Sequence, residues 1–191
     1  MLGFMQSNLS IKISLFANNS MTNVPTFNLI AETKTGSATD VIVIGSHSDS
    51  VPAGPGINDN GSGSSSNLEL AVQFYKQTAV NPTVNKVRFA WWAAEEFGLL
   101  GSQYYVKNLP QPYDVAAYLN YDMIGSPNYY RGIYNGSQAS ESIRPQSQKI
   151  QSIYQDFFNS QNLTFELSAF TGRSDYGPFI QVGIPSGENN L

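Results

Sequence analysis

The strongest folding constraint in the chain is Val41-Ile42-Val43-Ile44, four apolar, β-branched residues within a strand expected over residues 40–47. An unbroken run of this kind, as opposed to an alternating one, belongs to a strand covered on both faces. It leads into a loop from Ser48 to about Gly63 that carries Pro52, Gly54, Pro55 and Gly56. A helix is expected next, over about residues 64–79, where Leu68, Ala71, Phe74, Tyr75 and Val80 recur at roughly helical spacing. A buried strand, a glycine-rich loop and a helix in that order form the opening of an α/β unit.

The rest of the chain repeats the alternation. Strands are expected over residues 26–32, 86–94, 115–121 and 164–167. Helices are expected over 97–107, halted before Pro110, over 144–160 and over 175–182. The 144–160 segment is the clearest: Ile150, Ile153, Tyr154, Phe157 and Phe158 follow the i, i+3, i+4 rule, and Pro145 suits a first helical turn. Alternating elements argue for an α/β sandwich around a mostly parallel sheet, and 191 residues suit a single domain.

Composition narrows the chemistry. The chain has 10 Lys plus Arg against 14 Asp plus Glu, and a net charge of -4, so no basic stripe exists to neutralise nucleic-acid phosphates. It has no cysteine, which removes disulfides, thiolate zinc sites and cysteine nucleophiles together. Charged residues are only 13%, and 23 Ser and 18 Asn take their place, a balance more typical of secreted or vacuolar proteins. Five N-x-[ST] sequons fall at Asn8, Asn18, Asn60, Asn135 and Asn162. The start of the chain lacks the pattern of a signal peptide, and no stretch approaches the roughly 20 apolar residues of a membrane span.

The acids are not scattered. Asp49, Asp59, Glu95, Glu96, Asp122 and Asp175 lie in short segments at strand ends or in glycine-rich loops, where ligands bind in open α/β sheets. The only histidine, His47, ends the first buried strand, and Asp49 follows two residues later. A carboxylate so placed can fix the ring of a metal-binding histidine, although a surface His-Asp pair has the same spacing. Asp59, among glycines, fits either a turn or a carboxylate presented to a metal. Glu95 and Glu96 are adjacent after the apolar Trp91-Trp92-Ala93-Ala94; burying both requires a proton or cation, whereas an exposed helix start tolerates them. Asp122 faces a glycine turn and fits either an Asx turn or a ligand. Taken in order, these residues offer nitrogen and oxygen donors without sulfur, a set that suits zinc or a similar divalent ion. A carboxylate left out of coordination can then act as general base.

His47-Ser-Asp49, Gly56-Ile-Asn-Asp59-Asn-Gly-Ser-Gly63, Ala94-Glu95-Glu96-Phe-Gly-Leu-Leu-Gly101-Ser and Asn120-Tyr-Asp122-Met-Ile-Gly125 resemble the M28 family of zinc aminopeptidases. Thr171-Gly-Arg-Ser-Asp-Tyr-Gly-Pro-Phe179 with Gly183-Ile-Pro185 is similar to its secreted branch, and the match runs over about residues 28–187. The resemblance implies a three-layer, doubly wound α/β fold, two zinc ions, and peptide substrates with a free N-terminus. It assigns His47 and Asp122 to one zinc, Asp59 as the bridge, Glu96 to the second zinc, Glu95 as general base and Asp49 as the residue orienting His47. It also implies a cis peptide at Asp59-Asn60, a substrate-side position for Gly172 and Arg173, and an extracellular or vacuolar setting.

The family pattern also calls for a second histidine near the C-terminus, preceded by a tyrosine; here Gly187 is followed by Glu188-Asn-Asn-Leu191. The whole 191 residues therefore read as one partial catalytic domain whose second zinc site lacks its terminal histidine. Two other expectations stand beside the aminopeptidase: a catalytically impaired binding module with one intact metal site, and a single-zinc enzyme of the glutaminyl cyclase type.

Overall fold

In the computed structural model, which describes residues 12–20, 22–109 and 114–190, the β-branched run forms the centre of the sheet. The Asn8 sequon, most of the chain's opening stretch and Pro110 lie outside the described residues. Strand β1 is Leu29–Glu32, β2 is Ser37–His47, and an irregular turn at Ile57–Ser62 leads into helix α1, Gly63–Thr78. Then come β3 (Asn85–Trp92), α2 (Leu100–Lys107), β4 (Val115–Asn120), β5 (Gly132–Tyr134), α3 (Arg144–Ser160), β6 (Glu166–Ser168), α4 (Tyr176–Gln181) and β7 (Ser186–Asn190).

The seven strands lie in the order β1-β3-β2-β4-β7-β5-β6. Four of the neighbouring pairs are parallel, and β1 with β3 and β5 with β7 are antiparallel. The chain steps outward from β2 to β3, then crosses back past β2 to β4. Two crossovers in opposite directions put their helices on opposite faces, because βαβ connections are right-handed. This makes the sheet doubly wound, as expected.

Strict alternation along β2 divides the core. Val41 and Val43 join Ala90, Trp92, Tyr118, Tyr176 and Phe179 on the face covered by α2 and α4. Ile42 and Ile44 join Phe89, Leu70, Ala71 and Phe74 on the face covered by α1. Four of the largest side chains, Trp92, Tyr118, Tyr176 and Phe179, are wholly buried in the first cluster. Phe179 stacks on Tyr118 with ring centroids 3.9 Å apart and planes 3° from parallel. Burying a ring of that size contributes roughly 1.5–3 kcal/mol.

Several boundaries and faces differ from expectation. β1 starts at Leu29, because Asn28 is occupied otherwise: its amide accepts from Ala93 N at 3.0 Å and donates to Gly101 O at 2.8 Å. α2 starts at Leu100 and not at Phe97, since Gly98 and Leu99 have positive φ and form a turn. On α1 the apolar stripe is only partly the expected one: Leu68 and Tyr75 are exposed, as is Val80 just beyond the helix, and Asn67 is completely buried on the core side. Its side chain bonds Ser46 Oγ and the Ala90 carbonyl, so a polar residue occupies a core position. On α3, Ile150 and Phe158 face inward, while Ile153 and Phe157 are exposed. β5 and β7 were not expected at all. Among the described residues no helix is long and apolar enough to cross a membrane.

Candidate metal centre

The carboxyl end of β2 delivers His47 into the space between the β2 and β4 loops, and the imidazole is 1% exposed. Its Nε2 lies 3.2 Å from Asp122 Oδ1, 3.1 Å from Asp59 Oδ1 and 4.0 Å from Glu95 Oε2. Donor atoms of His47, Asp59 and Asp122 all fall within 4.8 Å of one another. Three segments separated by 12 and 63 residues thus converge on one point.

Each carboxylate is aimed by its own local support. Asp59 sits in the irregular turn, where the Asp59-Asn60 peptide is cis and Ser50 Oγ donates to the Asp59 carbonyl at 2.7 Å. Asn60 is 2% exposed and ties that turn to the Asp122 loop. Its Oδ1 accepts from Gly63 N and Met123 N, and its Nδ2 donates to the Tyr121 carbonyl at 3.0 Å. The Asn60 sequon is consequently closed to a glycan in the folded chain. Gly63 is required here, since a Cβ would run into the Tyr121 carbonyl and the Asn60 side chain.

Asp49 performs two tasks. The His47 Nδ1 meets the Asp49 main-chain carbonyl at 3.1 Å and its carboxylate at 3.4 Å. That carboxylate accepts from the backbone N–H of Glu95 at 3.0 Å and of Glu96 at 3.3 Å. Asp49 therefore holds the turn that presents both glutamates as well as neighbouring His47.

Asp122 is gripped from behind by a run of neutral residues. Trp92 Nε1 donates to Tyr118 Oη at 2.8 Å, and Tyr118 Oη donates to Asn120 Oδ1 at 2.7 Å. Asn120 Nδ2 donates to Ser174 Oγ at 2.9 Å, and Ser174 Oγ donates to Asp122 Oδ2 at 2.6 Å. Sequence reading missed Asn60, Asn120 and Ser174 as site residues; the one available signal was their position beside each acid.

Electrostatics follow from crowding. Burial pulls the His47 pKa down, but its hydrogen bond to Asp122 and the surrounding acids win and raise it to about 10. Burial lifts Glu95 to about 7, with Asp122, Glu96 and Asp49 adding to the rise and His47 opposing it. Asp59 and Glu96 are likewise raised, by burial first and then by neighbouring carboxylates. One Glu96 oxygen, Oε1, is buried with no hydrogen-bond partner.

Of the other expected residues, Arg173 reaches the site and Gly172 does not line it. A cavity of about 590 Å³ opens beside the acids, lined by Asp59, Glu95, Asp122, Met123, Tyr130, Tyr134, Arg173 and Glu188 among others. Gly172 sits behind it at φ 73°, its N–H donating to Tyr176 Oη at 2.6 Å. Asp175 is wholly buried. Neither of its oxygens meets a partner in bonding geometry, although the Ser102 hydroxyl is near, and burial pushes the carboxyl up to about 8. Glu188, which the sequence pattern does not mark as a site residue, is 1% exposed and accepts from Asn120 Nδ2 at 2.8 Å.

Comparison with known proteins gives this arrangement a family. The chain is 48% identical over 180 residues to leucine aminopeptidase 2 of Trichophyton rubrum, covering 92% of this chain and 34% of that protein. It is 44% identical over 182 residues to a probable leucine aminopeptidase 2 of Aspergillus oryzae, covering 93% and 36%. It therefore spans about a third of the length of the curated relatives it matches. A zinc aminopeptidase from Bacillus subtilis superposes with a TM-score of 0.68 at 29% identity, over 85% of this chain and 39% of that one. Residues 28–189 match the model of peptidase family M28, and the chain belongs to that family.

Proposed function

We propose that these 191 residues belong to the catalytic domain of a zinc aminopeptidase, which hydrolyses the N-terminal peptide bond with Glu95 as general base. The observation that carries the reading is the convergence of His47, Asp59 and Asp122 beside a glutamate whose pKa stands at about 7. A base poised near neutral pH takes up and returns protons readily.

The residues present fit zinc. The donors are one imidazole and several carboxylates, with no thiolate, and their mutual repulsion together with the unpartnered Glu96 Oε1 calls for a cation at this place. His47, Asp59 and Asp122 would hold one ion; Asp59 and Glu96 would supply part of a second site, where the terminal histidine of the family pattern is not among this chain's residues. Zinc bound there supplies Lewis acidity toward a carbonyl group and a water molecule.

The protein's own groups supply the rest. The carboxylates attract the substrate's free ammonium group, which restricts cleavage to the first residue. Glu95 accepts a proton from water on its carboxylate and passes it to the departing amine. Asp49, through the N–H groups of Glu95 and Glu96, keeps that carboxylate in place. Exposed sequons at Asn18 and Asn162 support an extracellular or vacuolar setting for this activity.

The test is hydrolysis of leucyl anilide by the zinc-loaded chain. Activity that disappears on chelation, returns with zinc, and is lost in Glu95→Gln at unchanged zinc content supports the reading. Equal activity of Glu95→Gln and the native chain would remove Glu95 from the role.

A further inference from the structure

Two of the five sequons, at Asn60 and Asn135, are taken up by the fold. Asn60 is buried in the turn beside the acids. Asn135 is half-buried and caps the short helical turn Gly136–Gln138. Its Oδ1 accepts from Ser137 N at 3.1 Å and from Ser137 Oγ at 2.6 Å, so the amide and the hydroxyl of that sequon satisfy each other. Gly136 between them is buried against α3, where a Cβ would meet the Ser147 backbone. Asn18 is exposed in a stretch without helix or strand.

Asn162 is presented differently. It closes α3 in the left-handed conformation, at φ 54°. Its N–H donates to the Asn159 carbonyl at 3.0 Å, and the N–H of Leu163 donates to the Phe158 carbonyl at 2.9 Å, the paired bonds of a Schellman cap. Leu163 and Phe165 turn toward the protein, with the Phe165 ring 6.1 Å from that of buried Phe158, and Thr164 between them is exposed. Both residues that define the sequon, Asn162 and Thr164, are thus exposed, and neither side chain takes a hydrogen bond among the described residues. The cap accounts for an asparagine, which tolerates the left-handed region, but does not call for a threonine two residues later.

The surface beside this turn is apolar. Ile153 is 60% and Phe157 57% exposed, four residues apart on one face of α3. Phe157 lies little more than one helical turn before Asn162, and its carbonyl accepts from the Gln161 N–H at 3.2 Å. A sugar attached at Asn162 starts beside that ridge and gives it a bulky polar cover.

We propose that Asn162 is an N-glycan acceptor and that the sugar it carries screens the Ile153–Phe157 ridge of α3. In the transfer, the Asn162 amide nitrogen bonds to the anomeric carbon of a lipid-pyrophosphate-linked oligosaccharide. The bond from that carbon to the phosphate oxygen breaks, the amide gives up a proton, and the lipid pyrophosphate leaves. The proposal rests on the extracellular or vacuolar setting given above and is independent of the chemistry at the metal centre.

The test directs the full chain into the secretory route of a yeast by an added leader. Its peptides are then mapped by mass after enzymatic release of glycans, which converts each modified asparagine to aspartate. Secreted and cell-retained chain are both mapped, so that retention hides nothing. Conversion is expected at Asn162. It should be lost in Thr164→Val, which keeps the asparagine and its turn, and in Asn162→Gly, which keeps the left-handed cap. Both variants are expected to raise the fluorescence of an apolar dye above that of the glycosylated chain, and adding Phe157→Gln to either should reverse the rise. An unconverted Asn162 overturns the proposal, and dye fluorescence that neither variant raises overturns the screening. Protein from its own cells separates the site from the setting. Conversion at Asn162 in the directed chain, with no glycan on the protein from its own cells, removes the setting and leaves Asn162 as an acceptor. Glycan at other sequons but not at Asn162 keeps the setting and removes Asn162.

Discussion

Replacing Tyr118 with Phe removes one oxygen atom and leaves the ring in place, yet the structure makes this a severe change. That oxygen accepts from Trp92 Nε1 at 2.8 Å and donates to Asn120 Oδ1 at 2.7 Å. Trp92 and Tyr118 are 0% exposed and Asn120 is 1% exposed, so no water takes the place of the lost partner. The substitution strands one buried donor and one buried acceptor. Each such orphan costs about 1–3 kcal/mol, and relief from burying the hydroxyl itself offsets a part, so Tyr118→Phe is expected to cost about 2–4 kcal/mol. Against a total of roughly 5–15 kcal/mol for a domain, this is a large fraction.

The consequence for the metal centre separates this account from a simple packing defect. Asn120 is oriented by the Tyr118 hydroxyl, and it in turn holds Ser174, which holds Asp122. Loss of an outer hydrogen-bond partner typically lowers metal affinity about 10- to 100-fold. Urea unfolding of the metal-free protein reads the first effect as a lower midpoint at constant slope, and chelator competition reads the second. Phe179→Leu is the control: it loses the 3.9 Å stack on Tyr118 but leaves every member of the hydrogen-bonded run intact. It is expected to lower stability while zinc affinity changes less than about threefold. A Tyr118→Phe variant that loses under about 1 kcal/mol and binds zinc as tightly as the native chain would refute the reasoning.

Three further outcomes follow from the same geometry. In the metal-free protein His47 has its pKa raised to about 10, so it is protonated at pH 8, whereas a metal needs the neutral ring. Zinc binding at pH 8 should release about one proton or more from this cluster, read by calorimetry in buffers of unlike ionisation enthalpy; zero release contradicts the assignment of His47. Asp175 has a folded pKa of about 8 against an ordinary 3.8, so between those values the folded state binds a proton that the unfolded chain has lost. Stability of the metal-free protein should therefore fall as pH rises from about 4 to about 8, and Asp175→Asn should flatten that slope and gain at least about 2 kcal/mol at pH 9; a slope unchanged in the variant denies Asp175 this role. Gly63→Ala places a Cβ against the Tyr121 carbonyl and Asn60, and is expected to cost about 1–3 kcal/mol with a matching loss of zinc affinity, checked by thermal unfolding with and without zinc.

The elements legible in the sequence are those whose pattern and environment agree. β2 could be read because four consecutive β-branched residues followed by a glycine- and proline-rich loop fit a strand covered on both sides, and the two core clusters take them alternately. α3 could be read to the residue because Pro145 and a long periodic segment mark it. β7 could not: Ser186-Gly187-Glu188-Asn189-Asn190 contains no β-branched residue. It is a strand because β4 offers it a parallel edge and β5 an antiparallel one. β5, three residues long, likewise exists through its neighbours. The inward face of α1 was misjudged for a different reason. Asn67 is held in the core by Ser46 and Ala90, and a periodicity rule counts any asparagine as solvent-facing.

The same physics divides the site. Its charged residues announced themselves, because acids are sparse in this chain and five of them meet around one histidine. The residues that aim those acids are neutral: Asn60, Asn120, Ser174 and the Tyr118 hydroxyl. In a chain with 23 Ser and 18 Asn, a serine that grips a carboxylate and a serine on the surface look alike until burial distinguishes them. Neutral donors also suit the task better than charged ones would. A lysine or arginine in the place of Ser174 would neutralise Asp122 and compete with a cation for it, whereas a hydroxyl fixes one oxygen at 2.6 Å and leaves the negative charge intact. Ser174→Lys should therefore stop zinc binding even though it adds an ion pair, while Ser174→Thr, which keeps the donor, should retain most of it; competition with a chelator distinguishes the two, and tight zinc binding by Ser174→Lys would show that the charge of Asp122 is not what the hydrogen-bonded run preserves.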